Sequence, residues 1–132
     1  MKPHTANWLE LSAYDLDVAR DLINSRRYVY AVFMCHLATE KLLKAAVVEF
    51  VGDDPPPRIH ALKRLAEVAR LELSDEQLTF LVELTLQQQG ARYPADLRAL
   101  AQVYTATYAA GTLRRSEEFR AWLEPQIKSA QQ

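Results

Sequence analysis

Apolar residues recur along this chain at spacings of three and four, and long alternating runs are missing, which is the periodicity of helices rather than strands. Trp8, Leu11, Val18, Ala19 and Leu22 share one arc at about 100° per residue. They predict a first helix that opens near residues 5 to 7 and runs to about residue 25. Asn7, with Glu10 three residues on, has the form of a capping box. Asp15 falls in the middle of the apolar arc, so this helix turns an acid toward the core.

The second helix is predicted over residues 28 to about 51, where Gly52 and the run "DDPPPR" stop it, because consecutive prolines give no amide donors and disfavour helical neighbours. A shorter third helix follows at about 59 to 71, and Ser74 has the form of an N-cap for a fourth over 75 to about 91. Asp75 and Glu76 stand where the helix dipole favours negative charge, and "GARYP" ends the element. Residues 95 to 104 read as irregular. A last helix spans about 105 to 129, with Pro125 expected to kink it or to make it restart. The pattern gives an all-α bundle of about five helices around one core, a single domain over residues 1 to 132.

Composition narrows this reading. Only three glycines occur among 132 residues, none in a phosphate-cradling pattern. Sixteen basic residues against seventeen acidic ones leave a net charge of -1, so nucleic-acid binding has to be local rather than driven by a global field. The single cysteine, Cys35, lies in an apolar run, which fits a small buried side chain in a reducing compartment and not a reactive thiolate. No secretory leader and no apolar run of membrane-spanning length is seen, and the expectation is a cytoplasmic protein without membrane contact.

The chemistry concentrates in "YAVFMCHLATEKLLKA", residues 30 to 45. Its apolar residues cover almost the whole circumference, leaving His36, Glu40 and Lys44 as a stripe at i, i+4 and i+8, with Lys41 to one side. One account makes Glu40 and Lys44 an ordinary ion pair on a partly exposed edge, with His36 hydrogen-bonded nearby. The other has Asp15 converge with His36, Glu40 and Lys44 into a polar network marking a ligand or partner surface, since buried charges demand partners. Metal ligation by His36 and Glu40 would need His60, Asp53 and Asp54 as well. No metal and no cofactor is expected. Arg92 beside Tyr93 suits stacking against a nucleotide, as do "RR" at 26 and 114 to a lesser degree, although solvated helix ends explain such pairs too. The loop carrying Arg92 is expected to meet the stripe of the second helix. The apolar girth of that helix argues for a homodimer.

"NWLELSAYDLDVA", "YAVFMCHLATEKLLKA", "HALKRL" after the proline-rich turn, and "ARYP" occur in that order over residues 8 to 127. Together they resemble the HEPN family, the higher eukaryote and prokaryote nucleotide-binding domains. The resemblance implies an up-and-down helical bundle that commonly dimerises and handles nucleotides or RNA. It also implies a minimal nucleotidyltransferase as partner, in a toxin–antitoxin type of pair. Ribonucleolytic members carry an arginine followed after four to six residues by a histidine. Here Arg92 is followed by "YPADLRAL", and the histidines are His4, His36 and His60. The expectation is a binding module with no catalytic residues, whose candidates are Asp15, His36, Glu40, Lys44, Arg92 and Tyr93. The alternative is a ribonuclease with a rearranged site that uses Arg92 with His36 or His60.

Overall fold

The computed structural model describes residues 1–52, 54–92 and 97–130, with the side chains of residues 88–92 and 97 excepted. Six helices and no strand occur among the described residues: α1 (Pro3–Asn24), α2 (Tyr28–Phe50), α3 (Leu62–Val68), α4 (Asp75–Arg92), α5 (Leu97–Val103) and α6 (Ala106–Ser129). α2 is the central element. It packs most extensively on α1 and also meets α6, α4 and α3, which is why its residues from Val29 to Val48 are apolar on nearly every side.

The main core joins Leu42, Leu43 and Val47 of α2 to Leu62 and Leu65 of α3, Leu81 and Leu84 of α4, and Phe119, Leu123 and Ile127 of α6. Each such side chain, taken fully out of water, contributes about 1.5–3 kcal/mol before entropy is counted. A smaller cluster of Val29, Val32, Tyr104 and Ala109 sits at the start of α2, with Leu100 of α5 packed against it.

α1 and α3 both end with an arginine in the left-handed region, Arg26 at φ 65° and Arg70 at φ 61°. At the first of these, the Arg26 amide donates to the Ile23 carbonyl and the Arg27 amide to the Leu22 carbonyl, the double bond of a Schellman turn. That geometry sends α2 back along α1 after only three residues. Ser74 caps α4 as expected, its Oγ accepting from the Gln77 amide at 3.1 Å while the Gln77 side chain accepts from the Ser74 amide at 2.9 Å.

Three elements differ from the sequence reading. α1 opens at Pro3 rather than at residues 5 to 7, because proline at the first turn lacks only an amide that has no helical partner there. Lys2 also ties this end to α2, its Nζ donating to the Val48 carbonyl at 2.9 Å. α3 is shorter than expected, since Ala61 is extended and the Leu62 amide is taken by Thr85 Oγ1 at 3.2 Å. Residues expected to be irregular form α5 instead: proline restricts the residue before it and not those after it, and Leu100 gains burial against the smaller cluster. α6 runs unbroken through Pro125 to Ser129, over the span the sequence predicted. Thr105 caps α6, its hydroxyl accepting from the Tyr108 amide at 3.2 Å. Among the described residues the bundle therefore has six helices, where about five were expected.

Candidate functional site

α2 turns His36, Glu40 and Lys44 to one side, three successive turns of the same stripe. Glu40, 5% exposed, is the hub. Its Oε2 accepts from Lys44 Nζ at 3.2 Å, and its Oε1 accepts from His60 Nδ1 at 3.0 Å. His36 is fully buried, with its Nδ1 3.9 Å from the same Oε1. The His36 Nε2 donates to the backbone carbonyl of His60 at 3.1 Å. His60 is thus held twice, by ring and by main chain, in the extended segment that leads into α3. Lys44 Nζ stands 5.6 Å from the centre of the Trp8 ring, so a buried ammonium has both a carboxylate and an aromatic face beside it.

This arrangement fixes the His60 ring. A carboxylate on Nδ1 places the proton there and leaves Nε2 as the outward nitrogen. The His60 side chain is 59% exposed, against 7% for that of Glu40. An oriented imidazole with a free outward edge can accept or donate a proton, or hydrogen-bond a ligand oxygen. Arg58, Lys63 and Arg64, all exposed, lie within four residues of it, and of these Arg64 is paired with Glu67 at 3.2 Å.

Asp15 is buried as its place on the arc required, but its partner is Lys41, at 2.6 Å. The expected convergence of Asp15 with His36, Glu40 and Lys44 is therefore corrected. Residues 40 and 41 are about 100° apart around α2, so each salt bridge occupies its own face, and Lys41 is an interhelical tie rather than a bystander. Nearby, Ser12 Oγ donates to the Ala38 carbonyl at 2.7 Å and accepts from Arg120 Nη1 at 2.8 Å, binding α1, α2 and α6 together. His60 joins the stripe, although the sequence offered it only as a further ligand in the metal option and as a histidine of the alternative ribonuclease. What the sequence did not show is its pairing with Glu40, since His60 lies twenty residues on in "HALKRL" after the proline run.

Arg92 closes α4, but its side chain, like Tyr93, lies outside the described residues, and the expected meeting of that loop with the stripe falls there too. Among the described residues no group of three His, Cys, Asp or Glu side chains is placed to hold a metal ion, and no helix is long and apolar enough to cross a membrane. Burial pushes the Cys35 thiol up to about 11, so it is no nucleophile at neutral pH.

Two solved structures share this fold. The TT1696 protein of Thermus thermophilus superposes with a TM-score of 0.77 over 95% of this chain and 99% of its own, at 20% identity. ST0689, described as an archaeal HEPN homologue, superposes with a TM-score of 0.74 over 96% of this chain and 99% of its own, at 21% identity. No curated protein matches the sequence. The HEPN domain family matches residues 5–126, close to the whole of the folded region. The six-helix bundle, the α2 stripe and this match agree, and the chain belongs to the HEPN domain family.

Proposed function

We propose that this HEPN protein binds a nucleotide or an RNA strand without cutting it, as the companion of a minimal nucleotidyltransferase in a toxin–antitoxin-like pair. The observation that carries this reading is the Glu40 hub. It spends Lys44 and the inner edge of His60 on internal pairing and offers the outer edge of His60, next to Arg58 and Lys63, as a recognition surface. Arg92 has no histidine four to six residues on, so the acid–base pair of cleaving relatives is not encoded in its usual place.

One observation favours a second reading. A carboxylate-held histidine is the form a general acid or base takes, and a rearranged ribonuclease could employ His60 with Arg92. Incubation of the pure protein with RNA separates the two. The binding reading expects retention of RNA or nucleotide, weakened by His60→Ala, with no new termini. Strand scission abolished by His60→Ala or Arg92→Ala would replace it with the second. Co-expression with an adjacent-frame nucleotidyltransferase tests the partner, and failure to form a complex would remove that part.

The proposal includes a homodimer. The apolar girth of α2 that suggested one is covered within the chain itself, which moves the argument to α1, where Leu11 and Tyr14 are 38% and 67% exposed one turn apart. A sedimentation mass near twice 15.1 kDa is expected, and a single-chain mass at micromolar concentration would overturn it.

A further inference from the structure

The turn between α1 and α2 borders an open cavity of about 540 Å³, lined by Arg26 and Arg27 of the turn, by Tyr28, Val29 and Tyr30 of α2, and by Tyr104 after α5. Its volume is in the range of small-ligand sites, about 300–1,000 Å³. It lies about 15–18 Å along α2 from Glu40 at 1.5 Å per residue, and so stands apart from the His60 edge.

Charge and apolar surface meet here in an unusual way for this molecule. Arg20, Arg64, Arg114, Arg115 and Arg120 each face a carboxylate. Arg26 and Arg27, like Arg58 and Arg70, have no carboxylate partner among the described residues, but of these only Arg26 and Arg27 border an apolar cavity. Arg27 Nη1 donates to the Ser25 carbonyl at 3.3 Å, which leaves most of its fork open. No acid stands in the first turn of α2, and no side chain caps it, so nothing offsets the positive end of the helix beside the two guanidinium groups. The rest of the lining is Val29, Ala101 and the tyrosines. The Tyr104 hydroxyl is already committed to the Gln87 carbonyl at 3.1 Å, and burial pushes its pKa up, so it meets the cavity as a neutral ring. Tyr30, 52% exposed, offers a second face at the rim.

We infer that this cavity binds a small oxyanion, phosphate monoester or carboxylate, carried on a flat apolar ring. Guanidinium forks match both headgroups through paired N–H donors, and the tyrosine rings and Val29 take the body by stacking and burial. The inference does not depend on the nucleotide reading of the His60 edge.

Titration of the full chain with phenyl phosphate, phenylacetate, inorganic phosphate and phenol, followed by calorimetry and by amide NMR shifts, tests it. One or both ring oxyanions are expected to bind one to one, at least about tenfold more tightly than inorganic phosphate or phenol, with shifts centred on Val29 and Tyr30. The better of the two identifies the headgroup. Arg26→Gly, which suits the left-handed turn and so keeps the fold, and Arg27→Ala are each expected to weaken binding about tenfold, while His60→Ala leaves it unchanged. Ring oxyanions that bind no tighter than phosphate and phenol, or equally well to both arginine variants, would overturn the inference. Binding lost in His60→Ala alone would also overturn it, and would leave the proposed function standing.

Discussion

From His36 onward, every charged or titratable side chain of α2 has a partner inside the protein. Glu40 holds Lys44 and His60, Lys41 holds Asp15, and Glu49 accepts from the Lys2 amide at 3.1 Å. Just before the start of the same helix, Arg26 and Arg27 border a cavity and have no carboxylate partner among the described residues. The difference follows from depth. Charges taken into the layer between α1, α2 and α3 are expensive unless matched, so this half of α2 is constrained by folding whatever else it does. An arginine at the surface costs almost nothing unpaired, and its lack of a partner there is not something stability demands. The paired half should respond to mutation mainly through stability, and the unpaired end mainly through binding.

The largest test of that contrast is Glu40→Ala. It strands Lys44, only 9% exposed, and releases His60, and is expected to cost about 3 kcal/mol in urea unfolding. Replacing both ends, as in Glu40→Leu with Lys44→Leu, is expected to recover most of this loss, because a buried pair is worth little over apolar packing. A loss below about 1 kcal/mol for the single change would mean that the two ends of α2 do not differ in this way. Asp15→Asn comes next. The Lys41 side chain is 25% exposed and water partly replaces its partner, so about 1 kcal/mol is expected by the same measurement, with no effect on ligand binding at the α1–α2 turn.

Glu49 gives a smaller effect that only acid reveals. Burial works against its charge, but the bond from the Lys2 amide, the Thr5 hydroxyl beside it and the Lys2 charge hold its pKa below the ordinary value. Such a group contributes stability that is fully present above the unfolded pKa of about 4.3 and is lost as pH falls through the folded value. Urea midpoints measured downward from about pH 6 should therefore fall for the native chain, and fall less for Glu49→Gln. Parallel curves would remove Glu49 from the set of paired charges.

How far the sequence could be read follows the same division. Helical periodicity placed α2 and α4 to within a residue or two, because Gly52, the prolines and the Ser74 box are local signals acting on local backbone. It missed α5, whose helix is held by the contact of Leu100 with a cluster assembled from distant segments. At the site, the i, i+4 rule found His36, Glu40 and Lys44 since one helix supplies all three. It could not show that His60, twenty residues on in an extended segment and named only in the metal and ribonuclease options, would sit on Glu40, nor tell whether Lys41 or the stripe would take Asp15, because that depends on how α1 is rotated against α2. The Arg26–Arg27 pair was visible as residues, but its lack of acids is a fact of the surroundings and not of spacing.

The finest distinction between the two ends is Arg26→Gly. Arg26 occupies φ 65° at the close of α1, where a Cβ crowds the following carbonyl and costs about 1 kcal/mol relative to glycine. Glycine also has more freedom to lose on folding, so the net expectation is a gain of about 0.5 kcal/mol, read as a small rise in the urea midpoint. The same change removes one of the two unpaired guanidinium groups. Stability and binding of a ring-bearing oxyanion should therefore move in opposite directions at this residue, whereas at Glu40 loss of the side chain should lower stability while leaving that binding intact in the folded fraction. A stabilised Arg26→Gly protein with undiminished binding would show that the arginine is there for neither purpose, and the contrast between the ends of α2 would reduce to burial alone.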